Sequence, residues 1–253
     1  MKFSEKYEVK EDRTMNKAIN LIKRLILFFV GMSIIQFGVA LFLKTNIGSD
    51  TFTVFTQGLA TTLDKTSLNE SFFVKWIAGS PQVTTGVANM IILVVLFAII
   101  LLVERKRINI GTLICVVGVG PIIDLCVKVV SYFPIESYNY VIRVLLVVFG
   151  CFIIAVGFSV LSATNVGVAP NDIVPFLIQD KIKIQYRWIR ITLDAGYLII
   201  GFLLGGTIGI GTIISMLAIG PFIQFCLPYG EKFVRLVVGE SNEDEGESVT
   251  ATA

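Results

Sequence analysis

The 253-residue chain is 55% hydrophobic and only 16% charged, with a mean hydropathy of +0.80. Soluble domains carry about a quarter charged residues, so this balance excludes an ordinary soluble globular protein. A net charge of +2 gives no case for a nucleic-acid partner, and the absence of histidine removes the commonest metal ligand and the usual neutral-pH proton relay.

In chain order, residues 1–20 form a charged arm with Lys2, Lys6, Lys10, Arg13 and Lys17. The apolar run that follows, 21–43, is too long for the core of a cleavable signal peptide, so an uncleaved anchor is expected. Further apolar runs lie at 84–103, 110–133, 141–163, 189–205 and 207–228. A spanning helix needs about 20 apolar residues, and these runs lack the period-two alternation of a barrel strand. The expected fold is therefore all-α: a polytopic membrane protein with the lipid bilayer as its solvent. The insertion 64–82 carries Phe72, Phe73 and Trp76, which suit a short amphipathic helix at the extracellular headgroup level. The acidic stretch 236–253 lacks aromatics and is expected to be disordered.

The membrane sequence occurs twice. Arg24–Gly48 matches Arg143–Gly167 at 9 of 25 positions, and Ile108–Val127 matches Ile208–Leu227 at 9 of 20. The units are thus 21–133 and 141–228. In each, a short segment follows the first long run: Thr51–Leu63 and Pro170–Lys181. A helix of about 12 residues covers roughly 18 Å, short of the ~30 Å hydrocarbon core. Both are expected to be half-helices, re-entrant or interfacial. Basic residues set the orientation. Seven of them at or before Arg24 place the N-terminus in the cytoplasm, and Glu104-Arg105-Lys106-Arg107 abuts a span on the same side if the short segments do not cross. Each half then has three crossings, the second is inverted relative to the first, and both termini are cytoplasmic.

Candidate site residues follow from this plan. Each short segment is preceded by Thr-Asn-x-Gly, with Asn46 and Gly48 in one half and Asn165 and Gly167 in the other. Glycine permits the bend, and asparagine can satisfy the backbone groups that the break frees. Matching broken segments in two repeats are the sequence pointer to a transporter's binding site. Ionisable residues at membrane depth are costly and become candidates by default. Asp50 and Asp172 begin the short segments, where they can also cap the helices. Asp124 follows Gly120-Pro121, and its counterpart is Gln224. Arg190 and Asp194, four apart, share a helix face and can pair. If Arg190 faces a cavity, it is the natural partner of an anionic group. Gly31 and Gly38, with Gly150 and Gly157, form small-residue stripes for close helix packing. Cys115, Cys126, Cys151 and Cys226 sit in apolar runs without a CxxC spacing and read as small apolar residues. No P-loop, HExxH or GxSxG motif occurs, so no enzyme, cofactor or metal site is expected.

At these residues the chain resembles the YczE/YyaS/YitT family of bacterial multi-pass membrane proteins. The resemblance covers about 20–228. It rests on the paired glycines, the Thr-Asn-x-Gly breaks, Ala169-Pro170-Asn171-Asp172, Arg190 with Asp194, the run from Gly206 to Thr212, and Gly220-Pro221. It implies a bacterial inner-membrane location. The chain departs from relatives in the first half, where Asp50-Thr51-Phe52-Thr53 lacks their proline and moves the acid. The leading expectation is a small-solute or ion transporter with its site between inverted halves. The alternative is a non-transporting integral membrane partner or regulator, served by the charged arm and acidic tail. A homo-oligomer fits either.

Overall fold

The computed structural model describes residues 2–65, 85–105, 108–184 and 186–239. Among them the secondary structure is helical, with no strand. The helices are α1 (Lys2–Thr45), α2 (Thr51–Lys65), α3 (Thr85–Val103), α4 (Ile110–Val130), α5 (Tyr140–Ala163), α6 (Pro170–Ile182), α7 (Tyr186–Leu203) and α8 (Ile210–Val238). A 3-10 turn, Ile135–Ser137, joins α4 to α5 and buries Ile135 against Ala40, Leu41 and Val130.

Among the described residues, five helices are long and apolar enough to cross a bilayer: α1 from Ala18, α3, α4, α5 and α8. Their outward faces carry exposed Leu102, Ile110, Leu125, Leu145, Phe225 and Leu236, an apolar surface suited to lipid. The sequence predicts six spans. The run at 189–205 forms α7, but Arg187, Arg190 and Asp194 in its first half keep it out of the apolar set. The last span also differs from expectation. Helix α8 runs through Pro221 and Pro228 to Val238 and stops at Gly239, whose φ of +86° is the left-handed conformation of a helix C-terminus. Residues 236–238 are therefore helical. Residues 240–253, and the insertion from 66 onward, lie outside the described residues, as does its predicted amphipathic helix.

Helices α1 and α5 pack antiparallel along their glycine stripes. A Cβ on Gly31 would stand 2.9 Å from the Gly157 carbonyl oxygen, and one on Gly38 would stand 3.0 Å from that of Gly150. The ends are tied in the same register. The Arg143 Nε–H donates to the Thr45 carbonyl at 2.6 Å, and an Arg24 Nη1–H donates to the Thr164 carbonyl at 2.8 Å. The last carbonyls of a helix have no partner within it. Each helix here caps the other with an arginine, a charge-assisted bond suited to the negative dipole end.

The two breaks share one conformation. Asn46 and Asn165 are left-handed at φ +50° and +54°, and Gly48 and Gly167 follow at φ +124° and +148°. Thr45 and Thr164 turn their hydroxyls back to Phe42 and Leu161 carbonyls at 2.8 and 2.7 Å. Each break also receives a helix start from the other half. Gly111 N–H, at the start of α4, donates to the Val166 carbonyl at 3.1 Å. Gly211 N–H, at the start of α8, donates to the Ile47 carbonyl at 2.9 Å. Orphan donors of one half are thus satisfied by the irregular backbone of the other.

Candidate functional site

The two short helices begin at one place. A cavity of about 110 Å3 is lined by Asp50, Phe52, Thr53 and Thr56 at the start of α2, and by Ala169, Asn171 and Asp172 at the start of α6. Arg190 of α7, Asn89 and Leu93 of α3, Cys115 and Val119 of α4, and Met32 and Gln36 of α1 complete much of the wall. A buried water needs about 10–15 Å3 measured this way, so the space fits a small solute rather than one water.

Asp50 ends the irregular stretch before α2. Its Oδ2 accepts the Thr53 N–H at 3.0 Å, the expected N-terminal cap. Its Oδ1 is buried without a hydrogen-bond partner. Asp172 behaves differently. Ala169 occupies the capping position of α6 and makes no side-chain cap. Asp172 Oδ1 instead accepts from Arg190 Nη1 at 2.8 Å and from Asn171 Nδ2 at 3.4 Å. Arg190 Nε also stands 3.6 Å from Asp194 Oδ2, the predicted i,i+4 pair. The three side chains are 24%, 15% and 14% exposed for Arg190, Asp172 and Asp194, so this triad is largely desolvated.

Aromatic packing sets α2 against α7. Tyr197 stacks on Phe55 at 5.8 Å and meets Phe52 edge-on at 5.3 Å. Closer contact comes from glycine: a Cβ on Gly201 would stand 2.7 Å from the backbone of Phe55. This seam holds Arg190 and Asp194, on the first turns of α7, level with the start of α2.

Of the nine candidate residues, Asp50, Asp172 and Arg190 line the cavity, with Asp194 behind Arg190. Asn46, Gly48, Asn165 and Gly167 sit in the two breaks, where the asparagines are exposed and the glycines touch the starts of α8 and α4. A Cβ on Gly48 would stand 2.7 Å from Thr212 N, and one on Gly167 2.8 Å from Thr112 N. Asp124 lies between α3 and α4, its Oδ2 2.6 Å from where a Gly86 Cβ would stand. Sequence reasoning passed over Asn89, which is 6% exposed and leaves its Oδ1 without a partner. It also passed over Gln36, 7% exposed on α1. Both were visible as lone amides inside apolar runs, a costly placement that itself marks a site.

Two curated relatives share most of the chain. An uncharacterised membrane protein of Bacillus subtilis, YczE, is 25% identical over 219 residues, covering 86% of this chain and 92% of its own. An uncharacterised protein of Haemophilus influenzae is 22% identical over 205 residues, covering 81% and 84%. No solved structure matches the chain. The model of a family of unknown function, DUF6198, matches residues 22–228, from within the first span to Pro228 inside α8. With apolar helices, a YczE-like sequence and that match, the chain is an integral membrane protein belonging to the DUF6198 family.

Proposed function

We propose that the protein is a small-solute transporter of the bacterial inner membrane, built from two inverted halves, with its substrate site in the cavity where α2 and α6 begin. One observation carries this reading: a short helix from each half, of 15 and 13 residues, starts at the same buried cavity. Discontinuous helices meeting at the interface of inverted repeats are the usual construction of a secondary transporter's site. Inversion is supported by the antiparallel α1–α5 pair with its reciprocal arginine caps, and by the exchange of helix starts between halves. Helix α7 is the second of the three crossings of the second half, between α5 and α8. Its 18 residues reach roughly 27 Å, and its Arg190 meets Asp172 and Asp194 within the protein. The basic residues Lys181, Lys183, Lys232 and Arg235 then join the N-terminal arm in the cytoplasm. No catalytic group is required for this activity.

Right-side-out vesicles carrying the wild-type chain or Asp172→Asn provide the test. Both are exposed to a mixed panel of amino acids, amines, organic acids and nucleobases, and accumulation is read by mass spectrometry. At least one solute should accumulate with the wild type and fall at least tenfold in the variant. Indistinguishable vesicles across the panel would count against transport.

A further inference from the structure

We infer that the cavity takes a small organic cation, a protonated primary amine, whose ammonium group sits on Asp50 Oδ1 and Asn89 Oδ1. This rests on the transporter reading of the cavity and names its substrate class. The charge balance comes first. With all three carboxyl groups ionised, Asp50, Asp172 and Asp194 outnumber the single cation among them, Arg190, by two charges. The starts of α2 and α6 each return roughly half a positive unit. About one negative charge remains without a counter-charge. It falls on Asp50, because Arg190 is engaged by Asp172 at 2.8 Å and faces Asp194 at 3.6 Å.

The polar groups left over agree with the charge. Asp50 Oδ1 and Asn89 Oδ1 are both buried, both on residues that line the cavity, and both without a hydrogen-bond partner. Both are acceptors, so each lacks a donor. An ammonium supplies up to three donors and the missing charge together. Arg190, which a bare motif reading offers to an anion, is already satisfied by its own carboxylates. Among the described residues no three His, Cys, Asp or Glu side chains are placed to hold a metal ion, which disfavours a divalent cation. Beside the polar Gln36, Thr53, Thr56 and Asn171, the wall has an apolar part with Met32, Leu93, Phe158 and Leu161. It suits the carbon end of an amine better than the water that a lone alkali ion would bring.

The experiment is a thermal-shift titration of the detergent-purified full chain at constant ionic strength. The probes are methylamine to butylamine, the matching carboxylates, tetramethylammonium and sodium chloride. A ligand that binds only the folded state raises the melting temperature with concentration. Primary amines should raise it by several degrees in the wild type, with at least a tenfold weaker response in Asp50→Asn, which keeps the cap on Thr53. Asn89→Leu should weaken it similarly, and tetramethylammonium, which has no N–H, should give no shift. A shift from carboxylates, from sodium alone, or an undiminished amine response in both variants would overturn the inference. Amine binding without accumulation in vesicles would sink transport and leave the cation site standing. Vesicle uptake of carboxylates alone would do the reverse.

Discussion

Replacing Arg190 by leucine should lower stability by about 3–5 kcal/mol, the usual cost of removing one partner from a buried charge pair. The reason is the state of what remains. Asp172 and Asp194 are mostly buried and both face Arg190, so the variant strands two carboxylates at membrane depth. For a chain of this size the loss corresponds to a melting temperature lower by on the order of 10 °C. Neutralising the carboxylates as well, with Asp172→Asn and Asp194→Asn added to Arg190→Leu, should recover most of it. Arg190→Lys should fall between, because an ammonium cannot present the guanidinium's planar fork to two carboxylates at once. Thermal unfolding in mild detergent measures all three. An Arg190→Leu protein as stable as the wild type would mean that the triad is solvated and that the cavity's charge balance is wrong.

The second large effect is steric. Gly209 precedes α8, and a Cβ placed there would collide with the Ile47 carbonyl, the acceptor of Gly211 N–H. Since that contact joins the last span to the first break, Gly209→Val should cost at least 3 kcal/mol, beyond ordinary overpacking. Gly196 of α7 gives the contrast, because no atom lies within 4 Å of its Cβ position. Gly196→Ala should be neutral or stabilising by about 0.5–1 kcal/mol through helix propensity. Melting temperatures and expression yields of the pair test this directly. Equal behaviour of the two variants would mean that α8 does not dock on the first break.

The sequence and the structure agree where the physics is local. Five of the six apolar runs form helices long and apolar enough to span, because about twenty apolar residues match the hydrocarbon thickness. Length marked α2 and α6 as short, and they are helices of 15 and 13 residues; the doubled Thr-Asn-x-Gly announced a bend, found as positive φ at Asn46, Gly48, Asn165 and Gly167. Asp50 capped its helix as its position suggested. The misses are tertiary. Asp172 looked like a second cap and instead holds Arg190 across 18 residues. Arg24 and Arg143 occupy matching places in the two similar blocks, but nothing in either block says that each ends the other's helix. Asn89 and Gln36 carried a readable cost, yet their shared cavity forms only when helices far apart in sequence come together. The limits of α7 and α8 were misjudged because both helices continue past their apolar runs, α7 back to Tyr186 and α8 on to Val238.

Among the native thiols, Cys115 lines the cavity, whereas Cys151 is equally buried in the packed cluster around Val147 and Ile154. With Cys126 and Cys226 replaced by alanine, a small membrane-impermeant thiosulfonate can be offered from either side of the membrane, in right-side-out or inverted vesicles. A site reached alternately from both sides predicts that Cys115 is modified from each face, while Cys151 stays inert from both. Cys115 as unreactive as Cys151 from both faces, or reactive from one face alone, would contradict a transport pathway through this cavity.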